Sequence, residues 1–139
     1  MILLIRSFDI LFSLLGLVFG SPILLVIFVS ILFDTGSPIF RQKRVGRNKI
    51  PFTLVKFRTM PVTTASLASH LECSASITNL GGGLRTTKLD ELPQLWNVLR
   101  GDMSLVGPRP SLFNQEELIN VRSAFNVYCV RPGITGLAQ

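Results

Sequence analysis

Residues 10–33 read ILFSLLGLVFGSPILLVIFVSILF, twenty-four positions in a row without a charge. As one helix the run would be about 36 Å long, at about 1.5 Å per residue, against a bilayer hydrocarbon core of about 30 Å. Large apolar side chains fill every helical face, and each gains about 1.5–3 kcal/mol on leaving water. The run therefore reads as a membrane-inserted segment. A buried hairpin of a soluble core is disfavoured because no face is polar. A cleaved signal peptide is disfavoured because the run is too long for an h-region and no A-x-A-like site follows it. Gly20-Ser21-Pro22 interrupts the run near its centre. Pro22 lacks an N–H and its ring clashes with the preceding turn, which predicts a kink or a stop, and Ser21 can bond the freed backbone groups. Such a helix can span with a bend or dip in and return on the same face. Pro-kinked spanning helices are common. Against that, Arg6 precedes the run and a basic cluster follows it, and positive flanks favour the cytoplasmic side. The residues alone leave both arrangements open.

The rest of the composition agrees with a membrane partner. Of 139 residues 47% are hydrophobic and only 16% charged, against about 25% charged in typical soluble domains. That excludes a disordered chain. With 11 Gly, 8 Pro and 2 Cys, collagen-like and disulfide-scaffold classes are excluded too. Thirteen of the fourteen Lys and Arg lie beyond residue 34, and seven of them fall between Arg41 and Arg58 with no acid among them. The net +6 is thus a localised field, suited to anionic lipid head groups or phosphate-bearing substrates. Nucleic acid is not expected, since zinc-finger spacing, an RNP motif and heptads are all missing. Cys73 and Cys129 fit free thiols in a reducing compartment, and zinc is not expected without a CxxC or a Cys/His set.

Gly36-Ser37-Pro38 is a turn signal closing the apolar segment. Residues 39–42 and 52–57 alternate as short strands, with Val45-Gly46-Arg47-Asn48 as the turn of a basic hairpin. Residues 61–84, rich in Thr, Ser, Ala and Gly, read as a loop with one short helix near Ala65–Glu72. Residues 90–100, DELPQLWNVLR, predict a helix with Leu92, Leu95, Trp96 and Leu99 on one face, capped by Asp90, with Pro93 in its first turn and Gly101 ending it. Residues 112–127 look helical, and Arg131–Gly136 turn-rich and irregular.

Three features could carry chemistry. Asp90-Glu91 places adjacent carboxylates about 100° apart on a helix, suited to different roles at one site, such as nucleophile and metal or proton partner; Asp90 as a plain helix cap is the competing reading. Gly107-Pro108-Arg109-Pro110 holds Arg109 between two prolines. Arg131-Pro132-Gly133 repeats the device, with Pro-Gly suited to a type II turn. Planar arginine suits phosphate, although each motif alone is also an ordinary rigid turn. Lys56 and Arg58 add two cations at a strand end, otherwise a solvated basic face.

Taken in order, Arg6-Ser7-Phe8-Asp9, Ser21-Pro22, GSPIFRQKRVG from Gly36 to Gly46, KFRTM from Lys56 to Met60, LDELPQLWNVLRGDMSLVGPRP from Leu89 to Pro110 and RPGITG from Arg131 to Gly136 resemble the bacterial sugar transferase family, the monotopic polyprenyl-phosphate phosphoglycosyl transferases. The resemblance covers nearly all of the chain outside residues 61–80. It implies an α+β fold: a re-entrant membrane helix broken at Ser21-Pro22 within residues 1–36, then a small, mainly helical cytoplasmic domain with a short β-hairpin over residues 37–139, ending short of the family's usual C-terminus. It implies an enzyme that moves a sugar-1-phosphate from a UDP-sugar to undecaprenyl phosphate and releases UMP. Such enzymes initiate O-antigen, capsule, exopolysaccharide or glycoprotein glycans at the bacterial inner membrane, with the catalytic domain facing the cytoplasm.

In that family the Asp of the Asp-Glu pair is the nucleophile, which assigns that role to Asp90; Glu91 supports catalysis and, with Asp90, holds Mg²⁺. Lys56, Arg58, Arg85, Arg109 and Arg131 are the cations expected to bind the diphosphate. UDP-sugar, undecaprenyl phosphate and membrane lipids are the expected partners, and a homo-oligomer is compatible. The competing readings are a catalytically impaired, shortened homologue serving as a membrane-bound binding module and, far behind, a tethered nucleic-acid binder.

Overall fold

The structure, a computed structural model, describes residues 2–62 and 77–136. The short helix expected near Ala65–Glu72 lies outside the described residues. Mixed helix and sheet follow one long apolar helix, an α+β arrangement.

Helix α1 runs from Ile2 to Thr35 and is long and apolar enough to cross a membrane, with a mean hydropathy of 2.6 over an 18-residue window. It ends where the turn signal stands: Gly36 is left-handed (φ 74°) and its N–H returns to Leu32 O. The helix continues through Pro22, so of the kink or stop expected at Ser21-Pro22 the stop does not occur. Proline leaves the carbonyl four residues back without its donor. That carbonyl is Val18 O, and the Ser21 hydroxyl donates to it at 2.8 Å. The serine restores the bond that its neighbour removes.

One face of α1 packs on the remainder of the chain. Asp9, Ser13, Gly16, Leu24, Ile27 and Ile31 recur on it at helical spacing; Ile31 and Ser13 are fully buried. Around the middle, Ser21, Pro22 and Ile23 are exposed, and among the described residues nothing beyond the adjoining turns of the helix lies within 4 Å of where a Gly20 Cβ would stand. The opposite face is uncovered apolar surface, including Phe8, Phe12, Phe19 and Phe33. So large an exposed apolar surface marks an interaction face.

Strands β1 (Ile39–Val45) and β2 (Pro51–Phe57) form an antiparallel hairpin, in register from Ile39 opposite Phe57 to Val45 opposite Pro51. The strands are longer than their alternation suggested, because a 3₁₀ turn at Arg47–Lys49 confines the reversal to residues 46–50. Helix α2 (Asn79–Thr87) stands in the stretch that composition marked as loop. Its signal was the cap: Thr78 accepts a hydrogen bond from Gly81 N–H at 2.9 Å. A 3₁₀ turn at Leu89–Glu91 precedes α3 (Gln94–Arg100), so the single helix expected over residues 90–100 is split. Gly101 (φ 92°) ends α3 as expected.

The faces of α3 are also corrected. Trp96 is 55% exposed, while Gln94, Asn97 and Val98 are buried. Asn97 docks the helix on β2 as an extra strand would: its Oδ1 accepts from Val55 N–H at 3.0 Å and its Nδ2 donates to Thr53 O at 2.8 Å. A buried amide so completely paired can outcompete an indole for the interior.

Strand β3 (Ser104–Val106) pairs in parallel with β4 (Gly133–Thr135); β4 corrects the expectation of an irregular segment at 131–136. Gly133 is not left-handed, so no type II turn forms there. Between these strands lies α4 (Glu116–Ala124), shorter than the helical stretch expected over 112–127, followed by a 3₁₀ turn at Val127–Cys129.

Two apolar clusters hold the described residues together. Ile27 and Ile31 of α1 pack with Phe57 and Leu84; Leu54 packs with Val98 and Met103. The apolar helix is therefore part of the core as well as its uncovered edge.

Candidate active site

Asp90 reaches the interior by a change of chain direction. Lys88 adopts the left-handed conformation (φ 61°), its N–H closing α2 on Leu84 O and Arg85 O. The 3₁₀ turn that follows sends Asp90 inward. It is not the N-cap of α3, which starts after Pro93; the extra turn separates the carboxylate from capping duty. Asp90 is 5% exposed, and its Oδ1 has no hydrogen-bond partner among the described residues. Burial pushes its carboxyl above the ordinary 3.8, opposed by the positive charge of Lys56, reinforced by the negative charge of Glu91 and opposed again by Arg85. An unpartnered buried carboxylate is costly, and perturbed groups of this kind cluster at functional sites.

The neighbouring groups come from separate elements. Lys56 projects from β2, its Nζ 5.3 Å from the centroid of Phe40. Arg85, on α2, donates Nε to Thr59 Oγ1 at 2.8 Å. Glu91 faces Arg109 of the Pro-Arg-Pro segment at 3.9 Å, with the arginine 47% exposed. Arg44 and Gln94 line the same cleft as Lys56, Glu91 and Arg109. Neither was singled out from sequence, Arg44 because it is one of seven undistinguished cations. Its burial and its Nη1 donation to Pro110 O at 3.3 Å set it apart. A larger cavity of about 360 Å³ adjoins on the other side of Glu91, walled by Leu92, Leu95 and Ile134.

Two of the expected cations stand elsewhere. Arg58 shares the Phe40 ring with Lys56, but its Nε donates to Ser37 O at 2.9 Å and its Nη2 to Ile39 O at 3.4 Å. It braces the junction of α1 and β1. Arg131 donates Nε to Gly101 O at 2.8 Å and lines a different cleft.

Among the described residues no three His, Cys, Asp or Glu gather to form a metal cage. Mg²⁺ ordinarily keeps several waters and takes one or two carboxylates together with substrate phosphates. An unpartnered Asp90 Oδ1 beside Glu91 fits that mode of binding.

Gly81 decides how closely α2 approaches this cluster. A Cβ there would stand 2.3 Å from Thr59 O, whereas Gly82 and Gly83 face open space. Gly81→Ala is expected to push α2 off Thr59 and carry Arg85 away with it. Activity should fall about 10–100-fold, the scale of an ångström-sized misplacement. Gly82→Ala should keep its activity and melt slightly higher, since alanine favours the helix. Parallel rate and melting measurements on the two variants test the asymmetry.

The sequence model of a family described as bacterial sugar transferase matches residues 2–139. The chain is 42% identical over 135 residues to the uncharacterised sugar transferase EpsL of Bacillus subtilis, covering 96% of this chain and 66% of that protein. It is 36% identical over 152 residues to an undecaprenyl-phosphate galactose phosphotransferase of Salmonella typhimurium, covering 96% and 32%. It is 44% identical over 141 residues to a UDP-glucose:undecaprenyl-phosphate glucose-1-phosphate transferase of Klebsiella pneumoniae, covering 96% and 30%. The chain thus spans between about a third and two thirds of the length of these relatives.

Proposed function

The chain belongs to the bacterial sugar transferase family, and from that premise we propose that it transfers a sugar-1-phosphate from a UDP-sugar to undecaprenyl phosphate through a phosphosugar held on Asp90 as an acyl phosphate. The observation that carries the reading is the buried Asp90 carboxylate, unpartnered at Oδ1 and set between Lys56 and Arg85. A carboxylate approaching a diphosphate meets like charge. Cations already in place lower that barrier without reorganising during the reaction.

In the first half-reaction an Asp90 oxygen attacks the phosphorus that bears the sugar. The bond from that phosphorus to the bridging oxygen breaks, and the oxygen departs with UMP. In the second, a phosphate oxygen of the lipid attacks the same phosphorus. The acyl-phosphate bond to Asp90 breaks, the carboxylate is regenerated, and the product is a lipid diphosphate sugar. Splitting one displacement into two is the usual gain of a covalent nucleophile. Lys56, Arg85 and Arg109 balance the charge of the phosphates, and Arg109 keeps Glu91 oriented. Mg²⁺, held by Glu91 and Asp90 with substrate oxygens, would add charge neutralisation at the diphosphate.

The anchor reading has its own support. Near its N-terminal end α1 is held by Arg6 and Asp9, near its C-terminal end by Ile27 and Ile31, and both sets of partners belong to the same packed domain. A helix crossing the bilayer would separate its ends by about 30 Å of hydrocarbon, beyond a domain confined to one face. We therefore favour a re-entrant helix bent near Ser21-Pro22, with both ends and the catalytic domain at the cytoplasmic face of a bacterial inner membrane, where the basic cluster belongs.

The test uses detergent-solubilised chain, Mg²⁺ and a UDP-sugar labelled in the sugar, without lipid acceptor. UMP release and sugar label retained on denatured protein are expected, in stoichiometric amount. A folded chain that releases no UMP would sink the reading and leave a membrane-bound binding module.

A further inference from the structure

A second basic cleft lies apart from Asp90. It encloses about 340 Å³ and is lined by Arg6, Arg47, Arg131, Asp9 and the exposed Cys129, with Ile5, Val106 and Val130 also at its wall. Its charges are not equivalent. Arg6 donates Nη1 to Val98 O at 2.6 Å and Nη2 to Leu99 O at 2.8 Å, so it is committed to the carbonyl end of α3. Asp9 accepts from Ser104 Oγ at 2.9 Å and from Leu105 N–H at 2.9 Å. That pair cancels in charge, and both of its members are already engaged with backbone or side-chain partners. Among the described residues Arg131 bonds through Nε alone, to Gly101 O. Arg47 is exposed, and its side chain bonds to none of the described residues. Two positive charges with free terminal donors therefore remain in a pocket whose wall includes three half- to two-thirds-exposed apolar residues, Ile5 at 52%, Val130 at 54% and Val106 at 68%. Ile5 belongs to the uncovered face of α1.

We propose that this cleft holds the phosphate of an anionic membrane lipid, gripped by Arg47 and Arg131, with the lipid chains leaving over Ile5 and the outer face of α1. Free donors in a fork suit a phosphate. Apolar walls beside them favour an amphiphile over a free ion, and basic pockets beside membrane helices are suited to anionic head groups. The inference rests on the membrane placement of α1 and not on the chemistry at Asp90.

Cys129 reports occupancy from inside the cleft. The full chain carrying Cys73→Ser is placed in phosphatidylcholine nanodiscs with or without phosphatidylglycerol, and alkylation of Cys129 by neutral iodoacetamide is timed. Incorporation into pure phosphatidylcholine discs tests the membrane placement separately. Phosphatidylglycerol is expected to slow alkylation about fivefold, as at about four-fifths occupancy. Arg47→Gln should restore the faster rate, and Arg131→Gln should do so too. Lys49→Gln, which removes an exposed charge two residues from Arg47, should leave the protection intact. A polyprenyl phosphate in place of phosphatidylglycerol reveals which lipid is preferred, and protection by either supports the site. Protection by inorganic phosphate or UDP as strong as that by lipid would overturn it, as would equal loss of protection in Lys49→Gln and Arg47→Gln. Absence of any protection by either lipid would overturn it as well.

Discussion

Asp90→Asn is expected to abolish both UMP release and covalent sugar labelling, a loss of about 1,000-fold or more, equivalent to about 4 kcal/mol of transition-state stabilisation. The substitution keeps shape and volume and removes the nucleophilic charge. It should leave the fold intact, and the reason is the burial of the carboxylate. Its carboxyl titrates above the ordinary 3.8 because desolvation outweighs Lys56 and Arg85. A raised carboxyl in the folded state contributes stability below its unfolded value, and that contribution is lost as pH rises through the raised value. At neutral pH, without divalent cations, the wild-type chain carries the cost of a buried charge and the asparagine variant does not. Asp90→Asn should therefore melt higher than wild type, because desolvation outweighs the two cations. The difference should shrink as pH falls toward 3.8. A variant that retains UMP release would dismiss Asp90 as the nucleophile; one that is inactive but melts far below wild type would show a structural role instead.

Gly133→Ala is expected to damage the fold more than any other single methyl group considered. An added Cβ would stand 2.1 Å from Gly107 N and 2.6 Å from Gly107 Cα. Both are backbone atoms and cannot rotate aside. Moving them would strain Gly107 N–H to Thr135 O at 2.9 Å and Gly133 N–H to Pro108 O at 3.0 Å, the bonds that knit the Pro-Arg-Pro segment to β4. Overpacking a rigid contact costs about 3 kcal/mol or more, a drop of about 10 °C or more in melting temperature for a chain of this size. Because Arg109 is held by the same junction, activity should fall at temperatures where the variant is still folded. Thermal unfolding of Gly133→Ala beside wild type measures the first effect. A shift of under about 2 °C would mean that the two glycines do not approach as closely as described.

The two motifs joined at that junction show how far linear reading reaches. Gly107–Pro110 and Arg131–Gly136 were each recognisable as rigid turns carrying an arginine, and their glycines were visible. Their contact was not. It arises because β3 and β4 pair in parallel across an intervening helix, and three-residue strands carry too little periodicity to be read. Sequence groups Arg131 with Arg109 as a cation suited to phosphate, whereas tertiary pairing turns it toward Gly101 and the second cleft. The surroundings of Arg58 were hidden for a related cause. A strand-end cation looks available in sequence, but three-dimensional closure offers it the carbonyls of Ser37 and Ile39. Helix α2 was hidden by its glycines, because composition weighs Gly81-Gly82-Gly83 as a breaker while packing demands a small residue at Gly81 alone.

Some properties of this chain follow from covalent order. Solvation of a continuous uncharged run is additive along the chain, so the apolar helix could be read directly. Local stereochemistry acts within a few residues, so the stops at Gly36 and Gly101 could be read too, as could the adjacency of Asp90 and Glu91. Other properties depend on which distant groups share a space. The burial of Asp90, its grouping with Lys56 and Arg85, the retention of α1 at both ends and the division of the arginines between two clefts exist only after folding. Desolvation and hydrogen-bond competition are set by neighbours in three dimensions, and no pattern of spacing records them.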